Sequence, residues 1–226
     1  MKQFTLVCFL LAPFLISAQI TTEPGPDEYI RKKIEDIYIY GEASIVGEKI
    51  HSTKVLPVFY QNNLFKRVWK TEKLQSAVLK ILKDADKDGF NREDYHYSKI
   101  VSLLESIESE GAQPTASFVD ILLTDAFLSF SSHMLHGKVD PVDIHPEWNI
   151  QKKEGDPLLL LLQFISSGNV DAWYSVITPE NQYYHALKKY LAEYVKLKDQ
   201  AGWTTVNEGD ALKKGISGER VVQLII

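Results

Sequence analysis

Residues 117–148, SFVDILLTDAFLSFSSHMLHGKVDPVDIHPEW, predict one long helix at the centre of the fold. Apolar residues dominate the first part of this stretch, and the polar residues that interrupt them fall at helical steps, at Asp125, Ser129, Ser132 and His136. So wide an apolar surface is typical of a helix that its neighbours enclose. We therefore expect the other helices to pack around it.

Both ends of this helix carry residues that are typical of helix boundaries. Ser117 can cap the start by accepting a hydrogen bond from a free backbone N–H, and Asp120 occupies the capping-box position. At the other end Gly137 can adopt the left-handed conformation, and Lys138 follows beside the negative pole of the helix.

Apolar periodicity and helix-starting residues indicate further helices along the chain. Their predicted starts are at or near Asp27, Thr71, Ser98, Asp156-Pro157 and Thr178-Pro179. Residues 158–165 are apolar on nearly all sides, so we expect that helix to be buried and to end at Gly168. Residues 55–60 include Pro57 and are expected to be extended or turn-like. The predicted fold class is mostly α, an irregular helical bundle around one central buried helix.

Three of the predicted helices carry apolar stripes. The first stripe is formed by Ile30, Ile34, Ile37 and Tyr38. The second, after Thr71, is formed by Leu74, Ala77, Val78, Ile81, Leu82 and Ala85. The third is formed by Tyr183, Leu187, Tyr190, Leu191, Tyr194 and Leu197. A stripe at this spacing occupies one side of a helix and is the side expected to pack on a neighbour.

The composition is that of a globular protein without a basic surface. Of the 226 residues 45% are apolar and 11% aromatic, which is enough to bury a sizeable core, and the net charge is −5. No run of Lys and Arg approaches a polyanion-binding arm, so we predict no nucleic-acid partner. One domain plus a remnant is the expected organisation.

The N-terminus has the pattern of a cleaved secretory signal. Lys2 precedes an apolar run at residues 4–16, and the small residue Ala18 precedes Gln19. We predict a signal peptide at residues 1–18, cleavage after Ala18, and a periplasmic or secreted product. The single cysteine, Cys8, lies inside that signal, so the mature chain has no disulfide, thiolate metal site or cysteine nucleophile. No later apolar run suggests a membrane span, the run at residues 158–162 being too short.

Residues 84–96 match only the first half of a calcium-binding loop. Asp84, Asp86, Asp88 and Gly89 have the spacing of alternating oxygen ligands before a turn-forming glycine. The position that should supply a bidentate carboxylate is Tyr95. We therefore favour a solvated helix-ending loop over a calcium site and predict no metal and no cofactor.

Other residue groups that could carry chemistry lack the required pattern. His133 and His136 are three residues apart, with His145 nearby, whereas zinc motifs on one helix space histidines four apart. His136 is interpreted as a helix C-terminal residue that interacts with the helix dipole.

Hydroxyl nucleophiles and paired carboxylates give no stronger signal. Ser166-Ser167-Gly168 and Ser217-Gly218 lack the frame of a nucleophile turn, and Glu93 and Asp94 are adjacent and so point apart. We predict no catalytic residue in this chain. The aromatic residues Phe59, Tyr60, Phe65 and Trp69 could line a groove for a sugar or peptide, but packing under a loop is the favoured interpretation.

Four segments resemble the scaffold domain that begins the large bacterial murein L,D-transpeptidases. Residues 56–69 (LPVFYQNNLFKRVW) are similar to the family's opening Tyr…Trp segment, and residues 84–96 (DADKDGFNREDYH) to its Gly-Leu-Xaa-Pro-Glu-Asp-Tyr-His element, with Arg92 where proline is common. The most specific segment, residues 120–141, resembles its Asp-Xaa-Xaa-Leu-Thr-Asp-Ala…Gly-Lys-Xaa-Asp-Pro signature. Residues 178–224 resemble the helix and the Gly-Trp and Leu-Lys-Lys-Gly elements that follow.

The resemblance implies a division of the chain and a function. Residues 19–201 would form the scaffold domain, and residues 202–226 a linker and the truncated start of a peptidoglycan-binding module. The family's catalytic domain, a cysteine acyltransferase that forms peptidoglycan crosslinks, would lie downstream, and peptidoglycan would be the partner. His96 would be structural, bonded to loop backbone, and Trp148 and Trp203 packing anchors. The alternative is a stand-alone helical binding module for peptidoglycan or for a cell-wall enzyme.

Overall fold

The structure, a computed structural model, describes residues 27–41, 44–110, 114–145, 147, 153–199 and 205–225. The predicted signal peptide at residues 1–18, and Trp148 and Trp203, lie outside the described residues. The fold is mostly α-helical, as predicted. The helices are α1 (Glu28–Tyr40), α2 (Val55–Asn62), α3 (Glu72–Lys83), α4 (Tyr97–Glu110), α5 (Thr115–His136), α6 (Pro141–Ile144), α7 (Pro157–Ser167), α8 (Val170–Ile177), α9 (Gln182–Asp199) and α10 (Glu219–Ile225).

Short elements join some of the helices. Strands β1 (Ser44–Ile45) and β2 (Glu48–Lys49) pair antiparallel through a turn at Val46 and Gly47, both with positive φ. Two 3₁₀ helices, Ala85–Asp88 and Arg92–Tyr95, connect α3 to α4.

Helix α5 is the centre of the bundle, which confirms the prediction from its sequence. Residues 119–131 are all buried, and α1, α3, α4, α7 and α8 contact the helix from different sides. By length and composition α5 alone among the described helices could cross a membrane, but 83% of its apolar window is buried inside the protein. Its apolar surface is therefore explained by the core it forms.

An aromatic cluster joins α5 to α7 and α8. The Phe127 ring stacks on Trp173 with 4.2 Å between centroids, and Phe164 lies 5.3 Å from Phe127. The Trp173 indole N–H donates to the Ser131 hydroxyl at 2.9 Å. Large aromatic side chains and one satisfied indole thus hold α8 against the core helix.

The start of α5 differs from the prediction. The helix begins at Thr115, after Pro114, and neither Ser117 nor Asp120 caps it. Ser117 is buried and donates its hydroxyl to the Asp27 carboxylate, which caps α1 by accepting from the N–H groups of Tyr29 and Ile30. The predicted cap is absent because the Ser117 hydroxyl bonds Asp27, which is distant in sequence, and not a backbone N–H of its own helix.

Residues 55–60 are helical, so the extended conformation predicted from Pro57 is wrong. Pro57 is the third residue of α2. The N–H groups in the first turn of a helix have no acceptor within the helix, so a proline there removes no hydrogen bond. The proline is therefore compatible with the helix it was expected to prevent.

The helices at the C-terminal side were predicted less accurately. Asp156 caps α7 by accepting from the Leu158 N–H at 2.8 Å, and Gly168 ends it in the left-handed conformation, both as predicted. The helix is buried on one side only, because Leu159 and Leu162 are exposed. Helix α8 was not predicted, and α9 begins at Gln182 after Asn181 rather than at Thr178-Pro179.

The predicted apolar stripes of α1 and α9 differ in how far they are buried. Ile30, Ile34 and Ile37 are buried as predicted, but Tyr38 is exposed. On α9 most of the predicted stripe is exposed, with Tyr183 and Leu187 each at 69%. The α9 stripe therefore does not contribute to the core of the described fold.

Candidate functional site

The first polar cluster joins three segments at Asp120 of α5. The Asp120 carboxylate accepts the Tyr60 hydroxyl at 2.8 Å and the backbone N–H groups of Val68 and Trp69 at 2.9 and 2.8 Å. Burial raises the Asp120 pKa to about 6, against the lowering effect of these donors. Thr124 completes the cluster by bonding the Tyr60 hydroxyl and accepting from the Trp69 indole, both at 2.9 Å. The cluster ties the chain around Trp69 to the core helix.

The second polar cluster is centred on His96, which is 2% exposed. Its Nδ1 lies 3.0 Å from a Glu48 oxygen of β2 and its Nε2 lies 2.9 Å from an Asp125 oxygen of α5. Asp125 also accepts the backbone N–H groups of His51 and Ser52 at 3.0 and 2.7 Å. The cluster therefore fixes the hairpin and the following segment on the core helix.

The charges of this cluster follow from its hydrogen bonds. Only an imidazolium can donate to both carboxylates at once. Burial alone would lower the His96 pKa, but the bonds to Asp125 and Glu48 outweigh it and the pKa is raised. Burial likewise opposes ionisation of Asp125, but His96 lowers its pKa below the ordinary value. His96 is thus a buried cation between two anions.

This arrangement is unsuited to acid–base catalysis. Both nitrogens of His96 are occupied, so the ring has no free site from which to accept a proton from a nucleophile. The nearby Ser52 and Ser129 hydroxyls lie 3.3 Å from each other. The sequence interpretation of His96 as structural agrees with these contacts, but its partners are carboxylates and not the loop backbone.

A cleft lies above this cluster, between the segment after β2, the end of α5 and the start of α7. It has a volume of ≈ 420 Å³, and Val55, Leu128, Pro157 and Leu158 form its apolar lining. Its polar lining is formed by His51, Ser52, Thr53, Lys54, Ser129, Ser132, His133, His136 and Asp156. This volume lies within the range of sites for small ligands, but the lining carries more polar residues than such sites usually have.

The histidines of the cleft are held differently. His133 Nδ1 lies 3.0 Å from the Tyr95 hydroxyl, and burial lowers the His133 pKa. His136 lies 3.4 Å from the Ser132 hydroxyl at the last turn of α5. His145 is exposed at the end of α6 and does not line the cleft. Within the described residues no group of His, Cys, Asp or Glu side chains is arranged to hold a metal ion.

Comparison with known proteins places these clusters in a family. A family model described as Scaffold domain matches residues 54–191. This chain belongs to the Scaffold domain family. Neither the curated proteins nor the solved structures contain a significant match to the chain. The matched residues include Asp120, Asp125 and His96, so both polar clusters centre on the scaffold domain, whereas Glu48 and the hairpin precede the match.

A third polar cluster is centred on Asp88, the third aspartate of the calcium-like pattern, and joins it to α8 and α9. The Asp88 side chain is 3% exposed and accepts the Tyr174 hydroxyl of α8 at 2.6 Å. It also accepts from the Tyr184 hydroxyl and the Lys188 ammonium of α9. Its carboxylate oxygens are therefore engaged by donors from two helices.

The calcium-loop pattern has a structural explanation in the scaffold domain. Asp84 pairs with Lys87 at 2.8 Å, and Asp86 is exposed. The carboxylates of the three aspartates do not converge, because Asp88 points to α8 and α9. Gly89 adopts φ +83°, which ends the 3₁₀ turn.

The remaining sequence candidates take structural positions. The hydroxyls of Ser166 and Ser167 donate to the Gln163 carbonyl at 2.8 Å, and Ser217-Gly218 precede α10. Phe59, Tyr60 and Trp69 are buried, in agreement with packing. Glu93 accepts from Ser98, and Asp94 pairs with Lys138 at 2.5 Å.

Asp120 and Asp125 are the centres of the first two clusters, and neither was predicted to be a functional residue. A signal was present, since two aspartates five apart in an apolar helix must each find partners once buried. The sequence does not show which residues these partners are, because they lie 29 to 74 residues away along the chain.

Proposed function

We propose that the chain is the non-catalytic N-terminal scaffold portion of a secreted L,D-transpeptidase that acts in peptidoglycan crosslinking. The observation that carries the proposal is the Scaffold domain match at residues 54–191, which includes the segment at residues 120–141 that most resembles the transpeptidase family. Export is expected from the signal-like residues 1–18. Peptidoglycan and a downstream catalytic domain are the expected partners.

The polar clusters support a positioning role for this chain. Asp120, Asp125 and Asp88 each fasten distant segments through side chains whose donors and acceptors are used within the fold. Such groups rigidify a domain and leave no activated nucleophile among them. A rigid domain of this kind is suited to holding a catalytic unit in place.

The nucleotide sequence downstream of the Ile226 codon tests the proposal. We expect it to encode, in frame or after a frameshift, a histidine and a Ser/Thr-Xaa-Gly-Cys motif, since the transpeptidase needs a histidine-activated cysteine. A downstream sequence without any remnant of that motif would contradict the proposal and favour a stand-alone module.

The histidine-lined cleft favours a second candidate function, a helical module that binds peptidoglycan directly. Its imidazole, hydroxyl and ammonium donors suit the carboxylates of a stem peptide, and its apolar wall suits an alkyl side chain. Retention of residues 19–226 on purified sacculi is the test. Under this second function His136→Ala weakens retention and His145→Ala, outside the cleft, does not; retention no greater than that of an unrelated protein would exclude it.

A further inference from the structure

The β1–β2 hairpin is joined to the core helix through the His96 ring. Glu48 of β2 lies 3.0 Å from Nδ1 of this ring, and Asp125 of α5 lies 2.9 Å from Nε2. The hairpin pairs two residues in each strand, and a hairpin of this size is at best marginally stable by itself. Its position therefore depends on its contacts with the rest of the domain.

Apolar contacts hold the two ends of the hairpin, and Glu48 holds the part between them. Ile45 is 0% exposed and Ile50 is 2% exposed, so both belong to the core. Between them Val46 and Gly47 form an exposed turn with positive φ, and the Glu48 side chain bonds the domain. The segment between the two isoleucines can therefore change its attachment without unfolding of the core.

Three ionisable groups contact the His96 ring. Glu48 and Asp125 occupy its two nitrogens, and they are the charges that act on it most strongly. The His51 ring stacks against its face, with 5.8 Å between the centroids and 19° between the planes. This stacking leaves both nitrogens to the carboxylates, so the hydrogen bonds of His96 depend on how many protons the ring carries.

Other charged residues near His96 in the described part of the chain do not bond its ring. In the 3₁₀ helix Arg92–Tyr95 that precedes it, Glu93 accepts from Ser98 and Asp94 pairs with Lys138. The lysines nearest in sequence on α3 and α4 are exposed or half-buried, namely Lys80, Lys83 and Lys99.

Loss of one proton from His96 removes one of its two donors. A neutral imidazole has a single N–H, so it donates to one carboxylate while its other nitrogen turns a lone pair toward the second. The Asp125 side chain is 0% exposed and the Glu48 side chain is 29% exposed, so water can reach Glu48. Because a buried carboxylate needs its donor more than a hydrated one, the remaining N–H is expected to stay on Asp125 and Glu48 to leave the ring.

The same contacts show which part of the chain stays in place. Asp125 also accepts the backbone N–H groups of His51 and Ser52, at 3.0 and 2.7 Å. These two residues line the cleft and follow Glu48 by three and four positions. Loss of the proton therefore frees the hairpin while the cleft wall remains bonded to α5.

The direction of the pKa shift fixes the side of the pH scale on which this happens. Burial by itself lowers the His96 pKa, but the bonds to Asp125 and Glu48 outweigh it and the pKa is raised from its ordinary value of 6.5. The ring is therefore charged at pH 6.5 and loses its proton as the pH rises further.

We propose that Glu48 and His96 form a pH-sensitive switch, which holds the β1–β2 hairpin against α5 while the imidazole is charged and releases it when the ring loses its proton. The switch is independent of the proposed function, since it needs neither peptidoglycan nor a catalytic domain. It acts beside the cleft, because the hairpin leads directly into the residues of the cleft wall.

A spin label on the hairpin turn tests the proposal, because residues 19–226 contain no cysteine that would compete for the label. The probe is a nitroxide on Val46→Cys, a position 37% exposed, and the reference is the same label on Val58→Cys, 50% exposed on α2. At position 46 we expect the ratio of mobile to immobile label to rise at least about tenfold, in a one-proton transition, because a charge-assisted hydrogen bond is lost. The midpoint should lie above pH 6.5, and the label at position 58 should not respond.

Two substitutions distinguish the switch from a general effect of pH. Glu48→Gln should abolish the response, because an amide can accept from the charged ring through its oxygen and donate to the neutral ring through its nitrogen. Glu35→Gln, on an exposed glutamate of α1, is the matched control and should respond as the wild type does. The midpoint should also coincide with the NMR titration of His96, whose signal is identified by its absence from His96→Gln.

Several results would overturn the proposal. They are constant mobility at position 46 between about pH 6 and about pH 10, or an equal response in Glu48→Gln. A rise at both labelled positions would show that the whole domain unfolds, and a midpoint different from that of His96 would assign the change to another group; either result contradicts the switch. Since no cell-wall component is present, failure here leaves the downstream-sequence test of the proposed function unaffected.

Discussion

At the scale of single residues, the fold depends on acidic side chains buried in an apolar helix. Asp120 and Asp125 are 1% and 0% exposed, and an unpaired charge at such depth would be strongly unfavourable. Each is instead surrounded by donors from segments distant in sequence. These residues therefore determine where the hairpin, α2 and the chain around Trp69 attach to α5.

Replacing Asp125 by alanine is expected to lower the free energy of unfolding by about 3–5 kcal/mol, because it leaves a buried imidazolium and two backbone N–H groups without their acceptor. Urea denaturation monitored by circular dichroism measures the change. Asp171→Ala, on an exposed aspartate of α8, is the control and should be nearly neutral. Equal effects of the two substitutions would show that the Asp125 cluster does not hold the fold.

The His96 cluster predicts a pH dependence of stability. The folded-state pKa of His96 is raised, so its stabilising contribution is complete below its unfolded pKa of about 6.5 and is lost as the pH rises through the folded value. The pKa of Asp125 is lowered, so its contribution is present above its unfolded pKa of about 4 and is lost as the pH falls through the folded value.

The unfolding free energy of the wild type should therefore decline from about pH 6.5 upward more steeply than that of His96→Gln, which cannot titrate. Denaturation series from about pH 5 to pH 9 on both proteins give the two slopes. Parallel curves above pH 6.5 would mean that His96 is not the buried cation.

At the scale of elements, Asp88 connects the loop after α3 to the last two helices of the scaffold domain. Its carboxylate bonds Tyr174 of α8 and both Tyr184 and Lys188 of α9. Helix α9 has no comparably strong attachment elsewhere among the described residues. Asp88 is therefore the main attachment of α9 to the described part of the domain.

Asp88→Ala is expected to release α9 from the domain, so backbone amides of α9 should exchange with solvent faster while those of α5 keep their protection. Hydrogen exchange followed by mass spectrometry of peptides from the two helices measures this. Asp86→Ala, in the same turn but exposed, provides the comparison and should leave α9 unchanged. Unaltered α9 exchange in the Asp88→Ala protein would contradict the anchoring role.

The elements that sequence reasoning predicted correctly carry their own local signals. Helix α3 has an apolar stripe after a Thr71 cap, and α7 has Asp156 and Pro157 at its start and Gly168 at its end. The errors have separate causes, namely one tertiary contact, one proline in a position that a helix tolerates, and one apolar stripe that packs on no neighbour among the described residues. Ser117 gave its hydroxyl to Asp27, Pro57 fitted into a first helical turn, and the α9 stripe was left exposed.

The candidate site was less predictable than the fold for a related reason. His96 was recognised as structural, but its carboxylate partners Glu48 and Asp125 lie 48 and 29 residues away. The cleft combines His51 with His133 and His136, which a spacing rule along one helix cannot bring together. Such groupings depend on how the helices pack, which local sequence does not specify.

At the scale of the whole molecule, the chain is a scaffold domain built around one buried helix and flanked by segments outside the family match. Its buried polar groups fasten distant segments, and its exposed features include a histidine-lined cleft and the apolar side chains of α9. Together they support the proposal that this domain positions chemistry performed elsewhere.

The most direct test is incubation of purified residues 19–226, without any partner, with muropeptides and with a carbapenem. We expect no change in the muropeptide profile on chromatography and no mass increase of the protein. Its sequence contains no cysteine beyond Cys8, which lies in the predicted signal peptide, and the polar clusters of the described residues contain no activated hydroxyl. Turnover of muropeptides or a covalent carbapenem adduct on the protein would contradict a purely positioning role.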